Sequence, residues 1–392
     1  MSCSDNVTAA AGKSRPADFL PAASLEMLRL RAELLAEVRR FFDARGFWEV
    51  ETPLLSHDVV VDAWLEPFTT RWTAGGPAAR DDSACTGTDG LFLQTSPEFG
   101  MKRLLCAGAT AIYQITRAMR NGEFGRYHNP EFTMIEWYRV GETHHGQMEL
   151  AEELVAAVIE RAAGCGRSPD RATETDRRSP SSSGDLLSQN RRGHRPAPNV
   201  ALPTRCERPF DRLTYDEAFE RYAGTKVLKL STPQLADVAR SRGIEPPPGL
   251  PADDRDGWLN LLLAELVEPH LGRERGQFLY DYPASQAALA RIRDDDPPVA
   301  ERFELYLDGI EICNGYHELT DARELRERMR TQAAIREKEG RRRLPQRSRL
   351  LDAMEAGLPD CAGVALGFDR LVMYAVGARS LAEVIAFPFD RA

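Results

Sequence analysis

The segment ERFELYLDGIEICNGYHEL, residues 301–319, constrains the fold more than any other part of the chain. Two runs of alternating apolar and polar residues flank the dipeptide Asp308-Gly309, and this arrangement is the strongest short-range signal for a β-hairpin. If the dipeptide forms the turn, the expected pairs are Leu307 with Ile310, Tyr306 with Glu311, and Glu304 with Cys313. The segment therefore predicts an antiparallel sheet.

Composition limits the class of protein. The formal net charge of the 392 residues is −9, so a protein that mainly coats nucleic acid is not expected. No apolar run is long enough to span a membrane, and residues 1–24 lack the apolar core of a signal peptide. We therefore expect a cytoplasmic protein without membrane contact. The seven cysteines form no C-x-x-C pair, which predicts free thiols.

Changes in composition along the chain predict its domain organisation. Residues 1–24 are polar and rich in alanine, which predicts a flexible tail. Residues 74–90 are rich in Gly, Ala and Asp, which predicts a flexible loop. At about 166–208 the chain turns to Ser, Arg, Pro, Asp and Thr, which predicts a disordered insertion. We therefore predict one domain over residues 25–392, interrupted by this insertion.

The apolar spacing predicts the elements of that domain. Alternating segments predict paired strands at about 111–119 and 131–140 and again within 301–320. Segments with helical spacing lie between them, among others at about 147–163 and 322–340. Strands that pair locally, with helices grouped between them, indicate an α+β domain with a mixed, largely antiparallel sheet.

The predicted hairpin carries two candidate metal ligands. In the expected register, Glu304 and Glu311 are diagonal neighbours on one face, about 7–8 Å apart. Two carboxylates at that distance repel each other unless a cation lies between them, and oxygen donors suit Mg²⁺ together with a substrate phosphate. The alternative is two glutamates on a solvated strand face.

The strand from Phe132 to Val140 carries a second candidate site. Its period of two places Phe132, Met134, Glu136 and Tyr138 on one face. An aromatic ring, a carboxylate and a phenol suit a ligand with an adenine at one end and an amine at the other. An amphipathic strand with a polar edge explains the same pattern.

Two loops offer candidate phosphate contacts. Arg117, Arg120 and Arg126 surround a glycine-containing loop, and arginine is the residue that grips phosphate in a bidentate manner. A solvated hairpin tip is the alternative. The segment GVALGFDRLVM, residues 363–373, places small residues before a helix start, where anions bind, although helix–strand packing explains it equally well.

Together, in this order, these segments resemble the class II aminoacyl-tRNA synthetases. RGFWEVETPLL resembles their first signature, MRNGEFGRYHNPEFTMIEWY the second, and GVALGFDR the third. The phrases HNPEFTM, TSPE and EICNGYHEL indicate the lysyl branch. The phrases YPASQAALA, NGYHELTDARE and AEVIAFPFDRA are similar to the short lysyl-tRNA synthetase paralogues of the elongation factor P–(R)-β-lysine ligase family. The resemblance covers about residues 25–392, except the insertion.

The resemblance implies an α+β fold with a class II antiparallel sheet flanked by helices, and it implies an ATP site. The catalytic arginines it implies are Arg120 and Arg370. Arg120 grips the α-phosphate, and Phe132 stacks on adenine against Arg370. Glu304 and Glu311 hold Mg²⁺, in agreement with the hairpin argument. The other nucleotide contacts implied are Asn121, Gly122 and Asn129 and the backbone at Ile312 and Gly367.

The resemblance also implies the amino-acid pocket. Glu98 faces one amino group of a diamino acid, and Glu136 with Tyr138 faces the other. The remaining pocket residues implied are Ser96, Pro97, Asn314, Tyr316, Glu318 and Ala365. A substrate with two cationic groups requires a pocket with several carboxylates.

The chain departs from the family pattern at two positions. The second signature often has Glu where this chain has Gly122, and Glu123 follows it. Either Glu123 substitutes through a loop shift, or the backbone makes that contact. Lysyl-tRNA synthetases usually have Gly at the position of Ala365, and the extra methyl group disfavours α-lysine and suits the shifted amine of β-lysine.

The implied function is a ligase that activates (R)-β-lysine, or lysine, with ATP and transfers it to a lysine amine of elongation factor P. The segment 25–53 resembles the class II dimer interface, so a homodimer is expected. Residues 1–24 are too few for an anticodon-binding barrel, so tRNA is not expected as a partner. Two alternatives stay open: an enzyme that charges tRNA or another small acceptor, and a catalytically inactive paralogue that binds ATP or lysine.

Overall fold

The computed structural model describes residues 19–71, 90–165 and 207–392. Most of the predicted tail at 1–24, nearly all of the predicted loop at 74–90, and the predicted insertion at about 166–208 apart from its last two residues lie outside these ranges. Residues 22 and 23 of the tail are described, and their backbone N–H groups donate to the carbonyl groups of Ala386 and Ile385.

The described chain alternates helices and strands. The helices are α1 Leu25–Asp43, α2 Glu98–Cys106, α3 His144–Cys165, α4 Tyr215–Ala223, α5 Thr232–Ser241, α6 Arg255–Leu262, α7 Ala322–Lys338, α8 Arg349–Gly357 and α9 Phe368–Ala375. The strands are β1 Trp48–Glu49, β2 Leu55–Ser56, β3 Thr69–Thr70, β4 Leu91–Leu93, β5 Ala111–Met119, β6 Glu131–Val140, β7 Asp211–Thr214, β8 Gln277–Pro283, β9 Ile292–Arg293, β10 Val299–Leu307, β11 Ile310–His317 and β12 Cys361–Gly367. Within the described ranges, no helix is long and apolar enough to cross a membrane.

The main sheet has nine strands in the order β1-β5-β6-β12-β11-β10-β8-β7, and β9 pairs with β10. The six strands from β5 to β8 in this order are antiparallel, whereas β1 and β7 add to the edges in parallel. A small second sheet has the order β2-β4-β3. The predicted α+β fold with a mixed, largely antiparallel sheet is confirmed.

The hairpin of β10 and β11 forms at the predicted turn but with one correction to its register. Asp308 and Gly309 both have positive φ, 55° and 75°, as a tight hairpin turn requires. Leu307 lies opposite Ile310 and Tyr306 opposite Glu311, as predicted. The predicted pairing of Glu304 with Cys313 is wrong, because a β-bulge at Ile312 adds one residue to β11. Glu304 therefore lies opposite Asn314.

One face of the main sheet is apolar and covered by helices. The helices α1, α3 and α9 pack on it around a buried aromatic group in which the Phe42 ring stacks on Tyr113 at 4.5 Å. The Trp137 indole donates to Gln147 at the start of α3, so its only polar atom is satisfied within the core. Because side chains alternate along each strand, the opposite face carries the polar residues of β6, β12, β11 and β10.

Two further clusters flank that polar face. The helices α4 to α6 pack together beside β8 and bury Phe219, Leu235 and Leu262. The helices α2, α7 and α8 form the other cluster, which includes Tyr138 of β6. The polar face therefore lies in a cleft between two helical groups.

Candidate active site

Four predicted site residues form one row across the cleft. Strand register places Glu136 of β6 opposite Ala365 of β12, Ala365 opposite Asn314 of β11, and Asn314 opposite Glu304 of β10. Directly opposed residues share a face of a sheet, so these side chains face the cleft together. The bulge at Ile312 brings Asn314 into this row.

A second row runs beside the first. It contains Tyr138, Gly363, Tyr316 and Arg302 in the order of the strands. A Cβ atom at Gly363 would lie 2.3 Å from the Tyr138 ring and 2.9 Å from a carboxylate oxygen of Glu318. Glycine is therefore required at this position for the two side chains to approach each other across β12.

Both carboxylate oxygens of Glu136 are held in place. The Ser96 hydroxyl donates to one at 2.7 Å, and the Tyr138 hydroxyl donates to the other at 2.7 Å. Burial and the nearby charge of Glu98 raise the pKa of Glu136 to about 7. The carboxyl group is therefore close to half ionised at neutral pH and gains stabilisation from any cation that enters.

Sequence reasoning missed the residue beside it, Lys102. Its ammonium group lies 2.6 Å from Glu98 and 2.5 Å from Glu318, and only 2% of its side chain is exposed. Burial opposes the charge, but the two carboxylates outweigh burial and raise the pKa of Lys102. Burial and the charge of Glu98 raise the pKa of Glu318 to about 8, although Lys102 opposes this.

The spacing of Glu98 and Lys102 contained a signal for this pair. Residues four apart on a helix face each other, and Glu98 with Lys102 has the favourable order, with the acid first. The third member, Glu318, comes from the end of β11 and could not be placed from the sequence. Pro97 precedes the first residue of α2, and the Ser96 hydroxyl accepts from the Glu98 backbone N–H at 3.1 Å.

The middle of the cleft contains a buried arginine, Arg302, that was also missed. Its guanidinium lies 4.4 Å from the centre of the Tyr282 ring and donates to Glu304 and to the amide oxygen of Asn314. The Asn314 amide in turn donates to the Tyr316 hydroxyl at 3.2 Å. These contacts fix the orientation of the Asn314 side chain in the first row.

Three carboxylates, Glu268, Glu304 and Glu311, gather at the end of the cleft where the sequence predicts the nucleotide. Glu304 accepts from the hydroxyl groups of Tyr282 at 2.7 Å and Tyr306 at 2.6 Å. Desolvation by the cleft and the charge of Glu304 raise the pKa of Glu311, and the same causes raise the pKa of Glu268 to about 6. The charges of three acids at one place, with oxygen donors, fit a hard divalent cation.

The predicted arginines lie at this same end. The Arg120 guanidinium lies 5.1 Å from the centre of the Phe132 ring and 3.9 Å from Glu123. Arg370 donates to the Glu311 backbone carbonyl at 3.0 Å and to the Glu311 carboxylate at 3.3 Å. Both arginines act electrostatically on Glu311, so they belong to one charged group.

The remaining residues predicted to contact the nucleotide differ in which of their groups are available to a ligand. Gly122 has φ of +85°, a conformation that disfavours any side chain, and the Asn121 backbone N–H donates to the Glu66 carbonyl. Gly367 has no side chain, and a Cβ there would lie 3.7 Å from the Ile312 carbonyl oxygen; the Ile312 side chain is buried in the core, so both residues can offer a ligand only backbone groups. The Asn129 amide is engaged within the protein, by the Glu131 carbonyl and the Phe389 N–H.

The arrangement has two chemically distinct ends. One end combines carboxylates with the buried Lys102 ammonium, and the other combines arginines with carboxylates beside Gly367. The first suits an amine and the second suits a polyphosphate with its cation. A molecule in the cleft would lie across Ala365 between them.

The comparison with protein families identifies the class. Residues 10–391 match the family "tRNA synthetases class II (D, K and N)". The chain therefore belongs to the class II tRNA synthetases of this group, and the resemblance inferred from its three signatures is confirmed.

Comparison with individual proteins identifies the branch of this family. The chain is 42% identical over 379 residues to the elongation factor P–(R)-β-lysine ligase of Salmonella dublin, which covers 97% of this chain and 100% of that protein. The proteins of that name from Salmonella paratyphi B and Salmonella heidelberg match with the same identity and coverage. The predicted ligase family is therefore confirmed as well.

Proposed function

We propose that this enzyme activates (R)-β-lysine with ATP as the aminoacyl-adenylate and transfers it to the ε-amino group of a specific lysine of elongation factor P. The names of its relatives supply the acceptor and the amino acid. The observation that carries the proposal is the charge of the amino-acid end of the cleft.

Among the described residues, this end contains three carboxylates, Glu98, Glu136 and Glu318, and one ammonium, Lys102. Fully ionised, the group has a charge of about −2, which desolvation makes costly. A diamino acid brings two ammonium groups and cancels it. A substrate with one ammonium leaves a carboxyl group that must take up a proton or remain charged without a partner, so it gains less binding energy than a diamino acid.

Activation needs a carboxylate of the amino acid to attack the α-phosphorus of ATP. A new oxygen–phosphorus bond forms, the bond to the bridging oxygen breaks, and pyrophosphate leaves with the electron pair. In this proposal Arg120, which lies beside Phe132, holds the α-phosphate, and Arg370 neutralises charge near Glu311. The protein contributes positioning and electrostatic stabilisation in this step.

The acidic group at the nucleotide end fits Mg²⁺, with Glu304 and Glu311 as the proposed ligands. Bound Mg²⁺ would neutralise phosphate charge. The hydroxyl groups of Tyr282 and Tyr306 keep Glu304 in its orientation, so that this carboxylate needs no rearrangement.

Transfer needs the acceptor amine to attack the carbonyl carbon of the adenylate. A carbon–nitrogen bond forms, AMP leaves with the oxygen, and the amine loses a proton. The net charge of −9 disfavours tRNA as acceptor, which supports a protein acceptor. Because that acceptor is a translation factor, we also propose that the enzyme works in the cytoplasm.

We propose further that the protein is a homodimer through the surface around β1. This strand lies at the edge of the main sheet, and Trp48 on it is 62% exposed. Leu54 and Leu55 nearby in sequence are 39% and 43% exposed. Light scattering at micromolar concentration tests this, and a monomer there would contradict it.

Amino-acid-dependent ATP–pyrophosphate exchange with α-lysine, (R)-β-lysine and (S)-β-lysine tests the activation step. We expect (R)-β-lysine to give the highest kcat/KM. Transfer of labelled amino acid to elongation factor P, with tRNA as the parallel acceptor, tests the second step. Exchange without transfer to elongation factor P would contradict the acceptor, and exchange with none of the three would contradict the activation step.

A further inference from the structure

A second group of ligand-type side chains lies on the opposite face of the sheet from the cleft. His144 begins α3, Glu301 lies on β10 and His317 ends β11. One ligand atom from each residue lies within 4.8 Å of the other two. Glu301 precedes Arg302, and His317 stands between Tyr316 and Glu318, so this group lies directly behind the amino-acid end of the cleft.

The His144 ring has a feature that packing alone does not explain. The residue is 2% exposed, and neither ring nitrogen has a hydrogen-bond partner among the described residues. The nearest carboxylate among the described residues, that of Asp281, is 3.9 Å from the ring, too far for a hydrogen bond. A buried imidazole without partners is costly, and a metal ion beside it would remove that cost.

The His317 ring is held between two carboxylates, and binding an ion would replace its hydrogen bond to Glu301. Its Nδ1 atom lies 2.6 Å from Glu301, and its Nε2 atom lies 3.0 Å from Asp360. In metal sites, one ring nitrogen binds the ion while the other donates to a carboxylate that fixes the ring. Asp360 is in this second position, and Arg291 donates to it in turn.

Arg293 offsets the negative charges of Asp281 and Glu301 beside this group. It donates to Asp281 at 2.7 Å and approaches the other oxygen of Glu301 at 3.7 Å. Glu301 therefore has one oxygen toward Arg293 and one toward His317. A donor set of two imidazoles and one carboxylate is typical of Zn²⁺ and related divalent transition metals rather than of Mg²⁺.

From this geometry we propose that His144, Glu301 and His317 bind a divalent transition metal ion, with Zn²⁺ as the ion that fits best. The fourth position is left to water. Because the ligands come from α3, β10 and β11, the bound ion ties the start of that helix to the two strands that carry Arg302, Tyr316 and Glu318. Asp360 has 56% of its side chain exposed, which gives the ion a route from solvent.

Equilibrium dialysis of the chelator-treated full-length chain against Zn²⁺, with the metal quantified, tests the proposal. The informative variant is His144→Ala, and its matched control is His145→Ala, which removes the adjacent, exposed histidine. We expect wild type and the control to retain one more Zn²⁺ per chain than His144→Ala. Asp360→Asn should weaken Zn²⁺ binding by about 10–100-fold.

Thermal unfolding supplies a second readout that is independent of activity. Zn²⁺ should raise the Tm of wild type and of His145→Ala and leave the Tm of His144→Ala unchanged. If His144→Ala fails to fold, His317→Gln takes its place. Retention of Zn²⁺ by the variant as tight as in wild type, or no Zn²⁺-dependent rise in Tm for wild type, overturns the proposal.

Discussion

The ammonium group of Lys102 lies 2.5 Å from the carboxylate of Glu318, and both side chains are almost fully enclosed by protein, 2% and 1% exposed. A buried ion pair of this kind stabilises little by itself, since desolvation offsets its attraction. Its importance is that the charge of Lys102 stabilises the ionised carboxylates of both Glu98 and Glu318.

Lys102→Met keeps the length of the side chain and removes its charge. Removing one partner of a buried pair costs about 3–5 kcal/mol, so the free energy of unfolding at pH 8 should fall by that amount. Without the Lys102 charge, the pKa values of the neighbouring carboxylates rise further in the folded state. The folded variant then binds more protons than the unfolded chain, so the loss of unfolding free energy should shrink toward pH 6. Urea denaturation at both pH values measures this. The control is Lys229→Met, because 64% of the Lys229 side chain is exposed. An equal loss for Lys102→Met at both pH values would contradict the view that Lys102 keeps these carboxylates ionised.

The KM for the diamino acid should depend on the ionisation of Glu136. Its pKa is raised to about 7, and only the ionised carboxylate attracts an ammonium. Between pH 8 and pH 6, KM should therefore rise by about tenfold as the group becomes protonated. Pyrophosphate exchange at a series of pH values measures it, with the KM for ATP as internal reference. Glu136→Gln should weaken the dependence and leave the part that Glu318 contributes, because the pKa of Glu318 is raised to about 8. A pH dependence in this variant as steep as in wild type would exclude Glu136 as the ammonium contact.

Glu304→Gln and Glu311→Gln should each cost at least about 2 kcal/mol of transition-state stabilisation, which is about 30-fold in kcat/KM for ATP at limiting Mg²⁺. Each change removes one charge from the proposed metal ligands and keeps the shape of the side chain. Asp308→Asn at the turn of the same hairpin is the control. Near-normal kcat/KM in either variant would show that the metal is bound elsewhere.

Ala365→Gly tests the choice between lysine isomers. The side chain of Ala365 shares the row of Glu136 and Asn314, so its methyl group faces the cleft in which we propose the amino acid binds. One methyl group discriminates by about 10–200-fold, and its removal should raise kcat/KM for α-lysine at least about tenfold and leave (R)-β-lysine within a few-fold. Ala362→Gly, on the other face of the same strand, is the control. An unchanged isomer ratio would remove the main argument for β-lysine.

Deletion of about residues 168–205 should leave pyrophosphate exchange nearly intact. The segment has the composition of a disordered insertion between two patterned regions, and α3 ends before it at Cys165. The kcat/KM of the deletion variant for ATP and amino acid is the measurement. A folded variant that has lost most of this activity would mean that the insertion takes part in the site.

Local sequence patterns predicted the main helices and strands and the hairpin turn. They did not predict the features that depend on contacts between distant segments. The Asp308-Gly309 turn followed from two residues. The bulge beside it did not, although the two adjacent apolar residues Ile312 and Cys313 interrupt the alternation at that point. A strict period of two places Cys313 opposite Glu304, and a bulge breaks that period, so alternation alone cannot predict that Asn314 lies there instead.

The candidate site shows the same limit. The family resemblance named Glu98, Glu136 and Glu318, but the cation between two of them, Lys102, becomes apparent only when α2 and β11 meet. His144 and His317, far apart in the chain, likewise come together only through the packing of α3 on the sheet. Charges that a fold brings together from distant segments have no signature in a local window of sequence.

The strand β12 carries Gly363, Ala365 and Gly367 on its cleft face, with Glu136 and Tyr138 fixed on one side and Asn314 and Tyr316 on the other. The proposed ionic partners of the substrate therefore lie on or beside the neighbouring strands. The size of the small side chains on β12 sets how much space the substrate has between them. In evolution, a lineage could move between substrates of unequal backbone length by single substitutions along this strand. Such substitutions would leave the side chains of Glu98, Lys102, Glu136 and Glu318 unchanged.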